Sequence, residues 1–243
     1  MSGRLPTATS IDDPRVDSRY LRCLCSGSGD LLLVGVVHDH PASIARVQRV
    51  LEATRPDVLA LELPPAAIEL YRAYAAETPR ERGGEMSAAI EAAPDATVVG
   101  IDAPNTSYVG RLFSRLIADR APLSTTRRVV SGLGSATREA LACLLAATLP
   151  GTASRAIAPT DRIEYAVDGE DSPQRQADHE RAHVATVQAL LASGSGAALT
   201  YRDETREACM IDRLEALRDS GTVVAVVGVD HLEALEAGLS CRD

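Results

Sequence analysis

Two apolar runs constrain this chain more than any other feature. Leu31–Val37 and Thr222–Val227 are almost uninterrupted aliphatic stretches, rich in Val. A half-solvated strand alternates apolar and polar residues, whereas a strand apolar on both faces lies in a parallel sheet covered by helices. Both runs also end alike, in Gly35-Val36-Val37-His38 and in Gly228-Val229-Asp230-His231.

Between them the pattern alternates. A helix is expected from Ser43 to Arg55, with Ile44, Val47, Val50 and Leu51 on one face, and Pro56-Asp57 ends it. A strand follows at Val58–Leu63, and Pro64-Pro65 opens the next helix where proline is tolerated. Helical stretches at 65–77 and 84–93 precede a strand at Thr97–Ile101, and helices are expected at 105–120 and 134–148. Residues 151–172 read as a long loop, followed by helices at Pro173–Ser193 and Asp203–Asp219 and a short closing helix. The expected fold is α/β, a central mixed, mostly parallel sheet flanked by helices, with a largely helical insertion around 105–195. Residues 1–28 are expected to be a partly ordered tail, and 29–240 one domain.

Composition narrows the function. With 45% hydrophobic residues but only six Tyr, one Phe and no Trp, the core must be packed from Val, Leu, Ile and Ala. Every one of the 25 basic residues is Arg, so lysine chemistry (a P-loop lysine, a Schiff base, a lysine base) is excluded. A net charge of -9 argues against the broad basic footprint of nucleic-acid binding. The polar first thirty residues carry no export signal, and no apolar run approaches the roughly 20 residues of a membrane span, so stable membrane insertion is not expected. The expected location is the cytoplasm. Five cysteines are too sparse for a disulfide scaffold.

Ligands of parallel sheets gather beyond the carboxyl ends of the strands. His38 and His231 each follow such an end, and Glu62 lies in the otherwise apolar run Ala60-Leu61-Glu62-Leu63, where a carboxylate is costly unless paired or coordinated. Two imidazoles and a carboxylate suit Zn²⁺, Mn²⁺ or Co²⁺ with a position open for water. The other reading is that both histidines are hydrogen-bonded loop residues and Glu62 pairs with an arginine. Asp102, at another strand end, can orient a site histidine, pair with arginine or cap a helix. Arg206 lies in a charged stretch expected to open its helix, where it can reach a carboxylate or a substrate oxygen or remain solvated.

His179-Glu180-Arg181-Ala182-His183 is literally His-Glu-x-x-His on an expected helix. A zincin centred there, a lesser role for His179 or His183 facing the same cleft, and a solvated helix face all remain open. There is no Gly-rich dinucleotide turn after the first strand and no Gly-x-Ser-x-Gly elbow.

Taken in order over about residues 30–238, these motifs resemble the TraB/PrgY/GumN family, which includes the Tiki-type proteases. The resemblance rests on Gly35–His38, Arg55–Glu62, Gly84-Glu85-Met86-Ser87-Ala88-Ala89-Ile90, Val98–Asp102, Arg111, Arg206 with Met210, and Val223–His231. The chain departs from the family at Ala103, where Arg is common, and at Thr205, where Glu is frequent. The resemblance implies that both histidines and Glu62 share a site. In the expected mechanism Arg206 stabilises an oxyanion, and Glu85 or Asp102 shuttles protons or orients a ligand. For the Tiki-type branch it implies metal-dependent peptide hydrolysis. The expected activity is hydrolysis of a peptide or a small amide or ester. The alternative is a regulatory protein that sequesters a peptide or small ligand in the same cleft. A homodimer is left open.

Overall fold

The structure, a computed structural model, describes residues 11–26, 29–78, 82–102, 106–129, 131, 163–192 and 197–240. Five strands form one sheet: β1 (Leu21–Ser26), β2 (Gly29–Val36), β3 (Val58–Leu61), β4 (Thr97–Gly100) and β5 (Val223–Gly228). Their order is β1-β2-β5-β3-β4, with only β1 antiparallel, so the sheet is mixed and mostly parallel.

Strand alternation divides the core in two. Leu32, Val34, Leu59, Leu61, Val224 and Val226 face α1 (Pro41–Thr54), α2 (Ile68–Ala75) and α3 (Gly84–Ala92). Their neighbours Leu31, Leu33, Val58, Ala60, Ala225 and Val227 face the other side. That side is covered by Met210, Ile211 and Leu214 of α6 (Ala197–Leu217), and by Leu232, Leu235 and Leu239 of α7 (Leu232–Ser240). The runs are apolar on both faces because both faces are covered. Helices α4 (Thr106–Ala118) and α5 (Pro173–Ala192), with a shorter helical stretch at 123–129, lie between β4 and α6 in the chain and build the helical insertion.

Several boundaries differ from expectation. Residues 21–26, assigned from composition to the tail, form edge strand β1, and Tyr20 before them is buried. The segment Leu21-Arg22-Cys23-Leu24-Cys25-Ser26 carries no β-branched or aromatic residue, so its strand depends on the pairing partner the fold supplies. The sixth helix begins at Ala197, so Arg206 sits well inside it; Ala and Leu after Gly196 are good helix formers and extend it towards the N-terminus. Residues 163–172 contain neither helix nor strand, as expected. The expected helix at 134–148, residues 151–162 of the expected loop, and the first ten residues of the tail lie outside the described residues. No helix among the described residues is long and apolar enough to cross a membrane.

The α5 helix is held to the sheet layer by a buried charge. Arg46 of α1 and Glu180 of α5 pair with both side chains fully buried. Arg46 also donates to the carbonyls of Gly35 (2.8 Å) and Arg15 (2.7 Å) and stacks on the Tyr20 ring, 3.8 Å from its centroid. Ser43 donates its hydroxyl to Glu180. Removing one partner strands the other charge in the interior, at a cost of about 3–5 kcal/mol, whereas replacing both by apolar groups costs far less. Glu180→Gln is therefore expected to lower the unfolding free energy by about 3–5 kcal/mol in chemical denaturation. The pair Arg46→Met with Glu180→Leu should recover most of that loss; a double variant as weak as the single one would contradict this account.

Candidate metal cluster and charged rim

The strand order sets the site. Chain leaving β2 and β3 enters helices on one face, whereas chain leaving β5 enters α7 on the other. The carboxyl end of β5 is therefore a topological switch point on both of its edges, the place where open α/β sheets bind ligands. Val36 pairs with Gly228 and Leu61 with Val226, so His38, His231 and Glu62 emerge from neighbouring strands. Beyond β3, Asp102 follows the end of β4.

On the β2 side, Glu85 organises the group. Its carboxylate bonds His38 Nδ1 at 2.9 Å and accepts the backbone N–H of Asp39 at 2.9 Å. Asp39 has a left-handed backbone (φ 56°), rare outside glycine but tolerated by aspartate. Its carboxylate lies 3.6 Å from His38 Nε2. Gly84 makes this possible: a Cβ there would fall 2.2 Å from Asp39 Oδ1, and its φ of +45° suits glycine. Ligand atoms of His38, Asp39 and Glu85 all lie within 4.8 Å of one another. An imidazole with two carboxylates is a donor set for a borderline divalent cation. Glu85 is buried, whereas the His38 side chain is 58% exposed, so solvent reaches the cluster. The hydrogen bond and charge of Glu85 raise the His38 pKa to about 9 against the pull of burial, so a cation entering here displaces a proton.

The β5–β3–β4 side is a line of alternating charges. Asp102 takes two hydrogen bonds from Arg206, from Nε at 2.9 Å and Nη2 at 2.8 Å. Arg206 Nη2 also donates to Glu62 Oε1 at 2.7 Å, and Glu62 Oε2 accepts the Gly228 N–H at 2.6 Å. His231 Nε2 lies 3.4 Å from Glu62 Oε1, and its Nδ1 bonds Glu207 at 2.8 Å. Burial works against every ion here, but the partners prevail. The pKa of Glu62 is lowered by His231, Arg206 and the Gly228 amide, and Arg206 is held more firmly cationic by Asp102 and Glu62. His231 is raised to about 10 by Glu207 and Glu62.

These positions correct the expected ligand set. His38, Glu62 and His231 do not form one three-ligand group: among the described residues that group is His38, Asp39 and Glu85. Glu62 is turned to the other side of the rim, where Arg206, Gly228 and His231 contact its two oxygens. Glu85, expected to shuttle protons or orient, lies within the cluster itself. Asp102 pairs with arginine, the second of its three readings. Arg111 joins α4 to α6 through Asp212 and the Ala208 carbonyl, largely exposed. Thr205 is buried and donates to the Tyr201 carbonyl, while Ala103 lies outside the described residues.

The His-Glu-x-x-His segment fails as a zincin because Glu180 is consumed by Arg46 and cannot act as a base. Its histidines instead pack beside His40 and Tyr165. His179 Nδ1 lies 3.0 Å from His40 Nε2, and Tyr165 packs edge-on against His40, His179 and His183. The Tyr165 hydroxyl donates to the His38 carbonyl at 2.7 Å, tying this wall to the cluster. Asp39, His40, Tyr165 and Glu207 escaped the sequence reading. His38-Asp39-His40 directly after an apolar strand was a usable signal for the first two; nothing local marked Tyr165 or Glu207.

The fold and site together define a doubly wound α/β protein with a candidate metal cluster at its switch point. No family profile matches the chain, and neither a curated protein nor a solved structure does.

The His231 ion pair has a pH signature. Its folded pKa, about 10, exceeds the ordinary 6.5, so its stabilisation is complete below about pH 6.5 and lost as pH rises through 10. The stability advantage of wild type over His231→Gln should shrink between pH 7 and 10.5 in paired denaturation curves. An advantage that stayed constant across that window would mean the ion pair contributes nothing.

Proposed function

We propose that this chain is a divalent-metal-dependent hydrolase of a peptide or a small amide or ester, allied to the TraB/PrgY/GumN proteins. The observation that carries this reading is the convergence of His38, Asp39 and Glu85 within 4.8 Å at the rim of the sheet. The order of motifs along the chain supports the alliance.

His38, Asp39 and Glu85 would hold the ion. A divalent cation there supplies a water of lowered pKa and a Lewis acid for a carbonyl. The remaining work falls to the chain. Glu85 fixes the His38 ring through Nδ1 and the loop through the Asp39 amide. Arg206 presents a positive charge that Asp102 and Glu62 keep from swinging, the preorganisation that stabilises developing negative charge at low reorganisation cost. His231, held cationic between Glu62 and Glu207, adds a second fixed positive charge beside Arg206.

The test begins with protein purified without chelator. Metal content near one equivalent is expected in wild type and in His231→Ala, and a loss of at least tenfold in His38→Ala and Glu85→Gln. Glu62→Gln should retain metal but lose hydrolysis of a peptide library by roughly 10²-fold, as expected when a charge-stabilising group loses its anchor. Unchanged metal in His38→Ala and Glu85→Gln would sink the proposal. Stoichiometric capture of a peptide with no turnover under Mn²⁺, Co²⁺ or Zn²⁺ would favour the sequestering protein instead.

A further inference from the structure

The hydrogen bonds from α1 to α5 run in a direction that cannot be reversed. The backbone N–H of Ala42 donates to His40 Nδ1 at 3.1 Å, and a main-chain amide nitrogen has no acceptor role to exchange. His40 Nδ1 therefore carries no proton, and the neutral ring holds its hydrogen on Nε2. An imidazolium at His40 would set a second N–H against that of Ala42. The His40 Nε2–H faces His179 Nδ1 at 3.0 Å, so His40 donates and His179 accepts. The ring proton of His179 is left on Nε2, for which no hydrogen-bond partner exists among the described residues.

Packing keeps this register. His40 is fully buried as the N-cap of α1, and its ring plane is inclined 26° to that of His179, centroids 5.3 Å apart. Tyr165 closes the other side with its ring 4.6 Å from His40 and 6.0 Å from His179. The next residue of α5, Glu180, is clamped by Arg46, so the helix cannot turn His179 to offer its other edge. A metal-binding imidazole must present a lone pair. This one presents a hydrogen.

We infer that His40 locks His179 in its Nε2–H form, so that His179 meets a ligand in the cleft as a hydrogen-bond donor to an acceptor oxygen, and the His-Glu-x-x-His segment does not chelate metal. Amide carbonyl, carboxylate and phosphoryl oxygens share this acceptor chemistry. Placing that oxygen on a hydrolysed substrate rests on the function proposed above; the lock does not. His40 is a positioning residue, acting only through His179.

Long-range ¹⁵N–¹H correlation spectra of the imidazoles at neutral pH test this on wild-type protein. Nε2–H forms are expected for both His40 and His179; an Nδ1–H form at either overturns the lock. A Zn²⁺ titration read on the same resonances should leave His179 and His183 in place. In His40→Phe, which keeps a ring in the pocket but has no nitrogen, His179 and His183 should shift together as a new i,i+4 chelate. Zn²⁺ moving His179 in wild type overturns the inference, as does a His40→Phe variant, folded by its spectrum, in which the pair stays inert. His38 failing to respond to Zn²⁺ speaks only against the proposed metal site, so the two failures are separable. Acetamide, acetate and inorganic phosphate titrated in turn identify the oxygen class through the His179 Nε2–H resonance. If none of them moves it, the ligand assignment is wrong.

Discussion

Strand β5 hydrogen-bonds along both edges, to β2 and to β3, although it arrives in sequence long after either. The site depends on this insertion. It brings His231 between the ends of β2 and β3 and sends the following helix to the opposite face from theirs, which makes this rim the switch point of the sheet. All five residues Val223–Val227 are completely buried, so the strand has one register: a shift by one residue would exchange the apolar sets facing the two helix layers and move Gly228 and His231 away from the rim. Gly228 is tied in directly. Its N–H holds Glu62, and a Cβ there would stand 3.3 Å from that carboxylate.

The rim carries its charges in two arrangements that suit different tasks. Around His38 the carboxylates of Asp39 and Glu85 converge beside an exposed imidazole, a donor set for a cation. Around Arg206 each carboxylate is matched by a cation and a geometry: Asp102 by two guanidinium bonds, Glu62 by guanidinium, imidazole and main-chain amide. Such a network fixes direction more than it adds stability, because desolvating the ions offsets much of their attraction. A third device, the buried Arg46–Glu180 pair, sets the position of α5 and with it the wall of His179, His183 and Tyr165.

The central strands were legible because burial on both faces leaves an unbroken aliphatic signature, as in Leu31–Val37. Glycine at Gly228 and the isolated Glu62 were legible as well, since each is anomalous in an apolar run. Edge strand β1 was not, because Arg22, Cys23 and Cys25 lack that signature and the segment is a strand only through its pairing with β2. His-Glu-x-x-His was legible as a pattern and misleading as chemistry: spacing places two imidazoles on one helix face but says nothing of Arg46, which lies 134 residues earlier and takes the glutamate.

What the sequence by itself determined is the class of fold and the places where polar groups would emerge from it, because hydrophobic periodicity and strand ends are local properties. Which of those groups meet was decided only by the tertiary structure. Pairing depends on distances across strands and between helix layers: these gave Glu62 to Arg206 and His231 rather than to His38, and Glu85 and Asp39 to His38 in their place.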